Sequence, residues 1–205
     1  MKLPTFSDQW RAPFQCSPFR LRFELGGEIF GIDAPVPRFS QAFDRARNVA
    51  DEVFESTKRL FAIVAWPTTG RDFSAPGDDG FEAIAKAGFR STPAAEWTAP
   101  LWPEEDDEDR VPALWRAFDI SEDRVARDVL LWCAVSLETA ITPKAPVISY
   151  LIDFDRGISL YVYDDRGMDV TAVDRDSLLR VYRARREWLL DYDRARMIEA
   201  FGEEP

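Results

Sequence analysis

Val147-Ile148-Ser149-Tyr150-Leu151-Ile152-Asp153-Phe154 and Ile158-Ser159-Leu160-Tyr161-Val162-Tyr163 are rich in β-branched and aromatic residues, and Asp155-Arg156-Gly157 separates them. A short polar connection ending in glycine between two such runs predicts a β-hairpin. Asp164-Asp165-Arg166-Gly167 then separates the second run from residues 168–173. Residues 147–173 therefore read as a three-stranded meander.

Outward from the meander, strands and helices alternate. Leu21-Arg22-Phe23-Glu24-Leu25 has the period of a half-buried strand, and Gly26-Gly27 ends it. Phe39, Ala42, Phe43, Ala46, Val49, Ala50, Val53 and Phe54 share one helical face, which predicts an amphipathic helix over about residues 38–56. Leu60-Phe61-Ala62-Ile63-Val64-Ala65-Trp66 is continuously apolar, as suits a central strand, and Pro67 stops it. A short helix is expected over 79–87, ended by Gly88. Residues 90–110 hold prolines and an acidic run and are expected to be an exposed or mobile loop, with the acidic loop itself at about 100–110. Pro112 restricts 113–118 to an edge strand or a late-starting one. Ser121-Glu122-Asp123 predicts the start of a helix running to about Ala140, with Val125, Val129, Trp132, Cys133, Ser136 and Ala140 on one face and Leu130, Leu131 and Leu137 widening it into a heavily buried helix. Asp174 predicts the cap of a helix whose inner face is Leu178, Val181, Tyr182, Arg185, Trp188 and Leu189. Asp191 or Asp193 opens a last helix with Ile198 and Phe201 inward. Residues 1–17 read as an irregular packed arm. Strands clustering as a meander after this alternation favour one α+β domain over 1–205: a mixed, mostly antiparallel sheet with helices mainly on one face.

Composition limits the chemistry. The 205 residues contain no histidine, which removes a Ser-His-Asp or Cys-His site. Cys16 and Cys133 are far apart and lack zinc spacing, and Cys133 sits in an apolar run as a core thiol would. No cofactor or metal is expected. The net charge of -11 repels phosphates, so no nucleic acid is expected as partner. Residues 1–8 lack the apolar core of a secretory signal, and no stretch approaches the roughly 20 apolar residues of a membrane span. A cytoplasmic location away from membranes is the expectation.

Tyr163-Asp164-Asp165-Arg166-Gly167-Met168-Asp169-Val170 and, beyond a helix, Trp188-Leu189-Leu190-Asp191-Tyr192-Asp193-Arg194 carry a resemblance. The segment 145–203 resembles the bacterial family known as domain of unknown function 3885. Leu21-Arg22-Phe23-Glu24-Leu25-Gly26 and the helix after it are similar to the start of longer members; residues 67–145 carry no matching motif. The resemblance implies a small bacterial protein and assigns no catalytic residues.

Two constellations remain. Asp164, Asp165 and Asp169 either bind a cation or form a structural ion-pair network with Arg166, Arg22 or Arg185. In the structural account Asp164 and Asp165 close the turn and Gly167 supplies a positive φ, while Trp188 is core and Asp191 or Asp193 caps a helix, with Tyr192 between them. Trp188, Asp191 and Tyr192 as a recognition surface is the alternative. The acids Glu104, Glu105, Asp106, Asp107, Glu108 and Asp109, flanked by Trp102 and Trp115, are either a solvated loop or a surface for a basic protein. The function expected is a non-enzymatic protein-binding protein, an immunity protein occluding the site of a basic toxin. The alternatives are a metal-dependent enzyme or regulator using Asp164, Asp165 and Asp169, and a scaffold or oligomerisation domain.

Overall fold

The computed structural model describes residues 8–29, 34–68, 79–102 and 110–202. Among them seven strands form one sheet: β1 Arg20–Glu24, β2 Phe61–Pro67, β3 Pro93–Pro100, β4 Pro112–Asp119, β5 Ile148–Asp153, β6 Ile158–Val162 and β7 Gly167–Ala172. Their order is β1-β7-β6-β5-β2-β4-β3, and every ladder is antiparallel. Six helices accompany them: α1 Ala12–Gln15, α2 Pro35–Val53, α3 Gly80–Lys86, α4 Arg124–Ser136, α5 Asp176–Ala184 and α6 Arg194–Phe201. The class is α+β, and the meander β5-β6-β7 lies where the sequence puts it.

The sheet has a core on each face. Alternation along β2 sends Ala62 and Val64 to the face covered by α2, α3, α4, α5 and α6, and Ile63 and Ala65 to the other. That explains its unbroken apolar run in an antiparallel sheet. On the second face Trp10 and Phe14, from the Asp8–Arg11 turn and α1, pack with Leu101, Val111, Trp115, Ile148 and Ile152.

Three local expectations are corrected. Residues 93–100 form a strand rather than a loop. Ala95, Trp97 and Ala99 pack against the second core while Glu96 and Thr98 face out, and the prolines occupy the strand's ends at the sheet edge, where missing N–H groups cost little. With β3 outermost, β4 is interior and begins at Pro112 itself, opposite Pro100. Finally, α4 is capped by Asp123, which accepts from Ala126 N at 2.8 Å, and not by Ser121, whose hydroxyl accepts from Leu60 N. The helix ends at Ser136, and its buried side is centred on Ala126, Leu130 and Ala134, leaving Val125 exposed. Trp132 meets Phe39 and Phe43 of α2 edge-on.

Two predictions arise here. Cys133 is buried, and burial pushes its thiol up to about 12, whereas Cys16 is exposed. A thiol reagent at neutral pH is expected to titrate one cysteine in the native protein and two after denaturation; two reactive thiols without denaturant would contradict the burial. Asp174 accepts from Ser177 N at 2.9 Å and from the Ser177 hydroxyl at 2.8 Å, capping α5. The backbone hydrogen bond from Ser177 is the main cause that holds its carboxyl below the usual range. A depressed folded pKa gives stability that is complete above the unfolded Asp value, about 4, and is lost as pH falls through the folded value. Asp174→Ala is expected to cost about 1 kcal/mol at neutral pH, with the deficit shrinking in urea melts below about pH 4.

Candidate functional site

The turn between β6 and β7 sets its three carboxylates in three directions. Asp164 is buried; it accepts from Arg166 N at 2.7 Å and pairs with the Arg166 side chain, which also reaches Glu138 at 3.2 Å. Asp165 pairs with Arg38 of α2. Asp169 points to the second face, where it accepts from Arg22 Nε at 2.9 Å and from the Tyr163 hydroxyl at 2.8 Å. Gly167 lacks the positive φ expected of it. A side chain there would instead meet the Tyr163 ring at 2.8 Å and the Phe23 carbonyl at 2.9 Å, so glycine permits β1 and Tyr163 to close over β7.

Arg22 joins the two halves of the motif. Its Nη1 donates to Asp193 at 2.7 Å, so one guanidinium holds Asp169 from the first half and Asp193 from the second. Desolvation by burial opposes the charge on Arg22, but the hydrogen bond to Asp193 and the field of Asp169 outweigh it and raise its pKa. Tyr163 is pushed up by its burial and then by Asp169. Leu190 N donates to the Arg22 carbonyl at 2.8 Å, and Leu189 bridges to Phe23. The second half of the motif thereby covers the free edge of β1.

The remaining motif residues divide. Trp188 lies in a short turn after α5, half-buried, with the Arg185 and Arg45 guanidinium groups 4.7 and 5.4 Å from its ring centre. Arg185 itself reaches Glu52 of α2 at 3.0 Å. Asp191 is exposed and pairs with Arg194, while Asp193 precedes α6 without a capping bond from its side chain. Met197 and Phe201 form the buried face of α6, in place of Ile198. Tyr192 is 89% exposed, so Trp188, Asp191 and Tyr192 do not share one environment.

Trp102 and Trp115 also separate. Trp115 is 2% exposed, a core residue rather than a surface anchor; its indole N–H donates to the Ala99 carbonyl at 3.2 Å. Trp102 is half-buried at the rim of the second face. Glu104, Glu105, Asp106, Asp107, Glu108 and Asp109 lie outside the described residues. The flanking chain is described: Leu101 N donates to the Val111 carbonyl at 2.7 Å, so the acidic stretch connects β3 to β4 at the mouth of the outermost hairpin.

Asp153 was not singled out by its sequence. It is 1% exposed and accepts from the Thr57 hydroxyl at 2.7 Å and from Asp155 N and Arg156 N at 3.0 Å. An Asp two residues before the turn is the signal that marks such a closure. Among the described residues no group of three or more His, Cys, Asp or Glu is placed to hold a metal ion.

These features define an antiparallel α+β protein whose C-terminal motif ties the sheet edge to the helical layer through arginine–carboxylate pairs. The family model described as domain of unknown function (DUF3885) matches residues 4–193, and the chain belongs to that family. The match runs through 67–145, which the motifs alone leave uncovered. No curated protein and no solved structure matches the chain. No helix among the described residues is long and apolar enough to cross a membrane.

Proposed function

We propose that this is a non-enzymatic, protein-binding protein of the cytoplasm, an immunity protein that captures a basic toxin with the β3–β4 end of its sheet. The observation that carries the reading is the position of the acidic connection. It leaves the outermost hairpin beside the half-exposed Trp102, at the one sheet edge that lacks a ladder partner among the described residues. The opposite edge is covered by Leu189 and Leu190. Six consecutive acids on a chain of net charge -11 favour rapid capture of a basic partner, with on-rates raised by roughly 10 to 1,000-fold at low salt. The divergence of Asp164, Asp165 and Asp169 onto separate arginines favours a structural role for them over the metal-dependent alternative.

The test is a pull-down from the source bacterium with the tagged protein and with a variant carrying Ser at positions 104–109. The expected result is one stoichiometric partner, lost in the variant, that arrests growth when expressed alone and is neutralised by the wild type only. A partner that is harmless, or that the Ser variant neutralises equally well, would overturn the proposal.

A further inference from the structure

We propose that a cleft on the second face of the sheet binds a small organic anion, a carboxylate or phosphate carried on a flat ring. The cleft has a volume of about 220 Å³, below the range usual for drug-sized ligands, and suits one ring with one anionic group. Its walls are aromatic. Tyr150 and Tyr161 stack with centroids 4.6 Å apart, Trp10 meets Tyr150 edge-on at 4.8 Å, and Trp102 stands on the rim.

The charge at the cleft is positive within an acidic protein. Arg11 and Arg20 both line it, and among the described residues neither is paired with a carboxylate. The Arg11 guanidinium lies 5.0, 4.8 and 5.4 Å from the ring centres of Trp10, Trp115 and Tyr150. Its Nη1 donates to the Leu101 carbonyl at 2.8 Å, while Nε and Nη2 are buried with no hydrogen-bond partner. Ring faces offset part of the cost of burying that charge, and a counter-ion offsets more. Arg20 uses Nε on the Thr171 hydroxyl at 3.3 Å, a long contact that leaves its outer nitrogens for a ligand. Asp169 also lines the cleft, but Arg22 and the Tyr163 hydroxyl hold its carboxylate, so it does not cancel the two arginines.

The two cations have different tasks. Nε and Nη2 of Arg11 are sealed beneath the rings, so Arg11 acts on the anion through its field, which is strong where water is excluded. Arg20 supplies the direct charge-assisted hydrogen bonds. The ring of the ligand lies against the tyrosine pair. This site uses Arg11 and Arg20 and none of the acids at 104–109, and it shares only the rim residue Trp102 with the protein-binding reading.

The experiment titrates the full-length protein with benzoate, phenyl phosphate, inorganic phosphate and the neutral benzyl alcohol, following tryptophan fluorescence and thermal midpoint. The two ring-bearing anions are expected to saturate, with benzyl alcohol and inorganic phosphate each weaker by about tenfold or more. Arg20→Gln, at a half-buried position with one long hydrogen bond, is expected to keep its circular dichroism spectrum and weaken both anions by about tenfold. Arg11→Met is expected to do the same, whereas the Ser variant of 104–109, which removes negative charge close in sequence to the rim residue Trp102, is expected to bind both anions at least as tightly as the wild type. Failure of both anions to saturate, equal binding of benzyl alcohol, or unchanged affinity in Arg20→Gln would overturn the site. Inorganic phosphate binding as tightly as phenyl phosphate would overturn the part assigned to the ring.

Discussion

Arg38→Met is expected to lower the stability of the folded protein by about 3 kcal/mol. The guanidinium pairs with Asp165 and donates to the Ile29 carbonyl, and the two side chains of the pair are only 14% and 11% exposed. An exposed ion pair is worth about 0–1 kcal/mol, but removing one partner of a buried pair costs about 3–5 because the other charge is stranded. The residual exposure of both groups places the expected value at the lower end. Gly26 belongs to the same unit: a side chain at Gly26 would collide with the Arg38 guanidinium itself. Gly26→Ala is therefore expected to be costly alone and nearly neutral beside Arg38→Met, a coupling of about 1–3 kcal/mol in a double-mutant cycle. Arg38→Met combined with Asp165→Leu removes the stranded charge and is expected to recover part of the loss. The check is urea unfolding of the four proteins of each cycle. A cost below about 1 kcal/mol for Arg38→Met would make the pair an ordinary surface contact and remove the main support for a structural role of the acidic turn.

That pair also marks where sequence reasoning stops. Alternation and run length were enough for β1, β2 and the meander, because in each the apolar period is set by a face that must be buried. The helix α2 was legible for the same reason. The strand β3 was not: its inward residues include two alanines, its ends are prolines, and its pairing depends on β4 rather than on its own composition. On α4 Leu130, Leu131, Cys133 and Ser136 are buried as their spacing implies, whereas Val125 is exposed and Val129 half-buried, because both border a groove lined by Phe43 and Ala87. In the turn at 164–167 the need for arginine partners is legible, and so are two of the partners: Arg166 holds Asp164 and Arg22 holds Asp169. Arg185 pairs with Glu52 instead, and Arg38, which holds Asp165 from α2, is not legible, nor is the Asp193 that Arg22 also takes, because these contacts form only when the elements pack. The second core was hidden for a similar reason, since the arm that covers it shows no periodicity in its sequence.

Trp115→Ala is expected to cost about 3–5 kcal/mol, the largest loss from any single truncation on the second face. The indole lies opposite Trp97 across the β3–β4 ladder, stacked at 6.1 Å and 11°, and opposite Ala65 across the β2–β4 ladder. Trp10 packs on it at 6.1 Å and Arg11 lies over its ring. Truncation leaves a cavity under three neighbours and removes the indole hydrogen bond to the Ala99 carbonyl. Because among the described residues β3 is paired only with β4, the edge strand is expected to lose its amide protection first when hydrogen exchange is followed. Trp115→Phe keeps most of the packing and is expected to cost about 1–2 kcal/mol. Trp102→Ala, at the rim, is expected to stay within about 1 kcal/mol of the wild type. These differences decide which tryptophan can report on partner binding. Lost capture in Trp115→Ala would follow from a frayed edge whether or not Trp115 touches anything, so Trp102→Ala is the informative variant. Should Trp115→Ala melt within about 1 kcal/mol of wild type, the second face would not be a core. Trp115 would then return as a surface anchor beside the acidic connection.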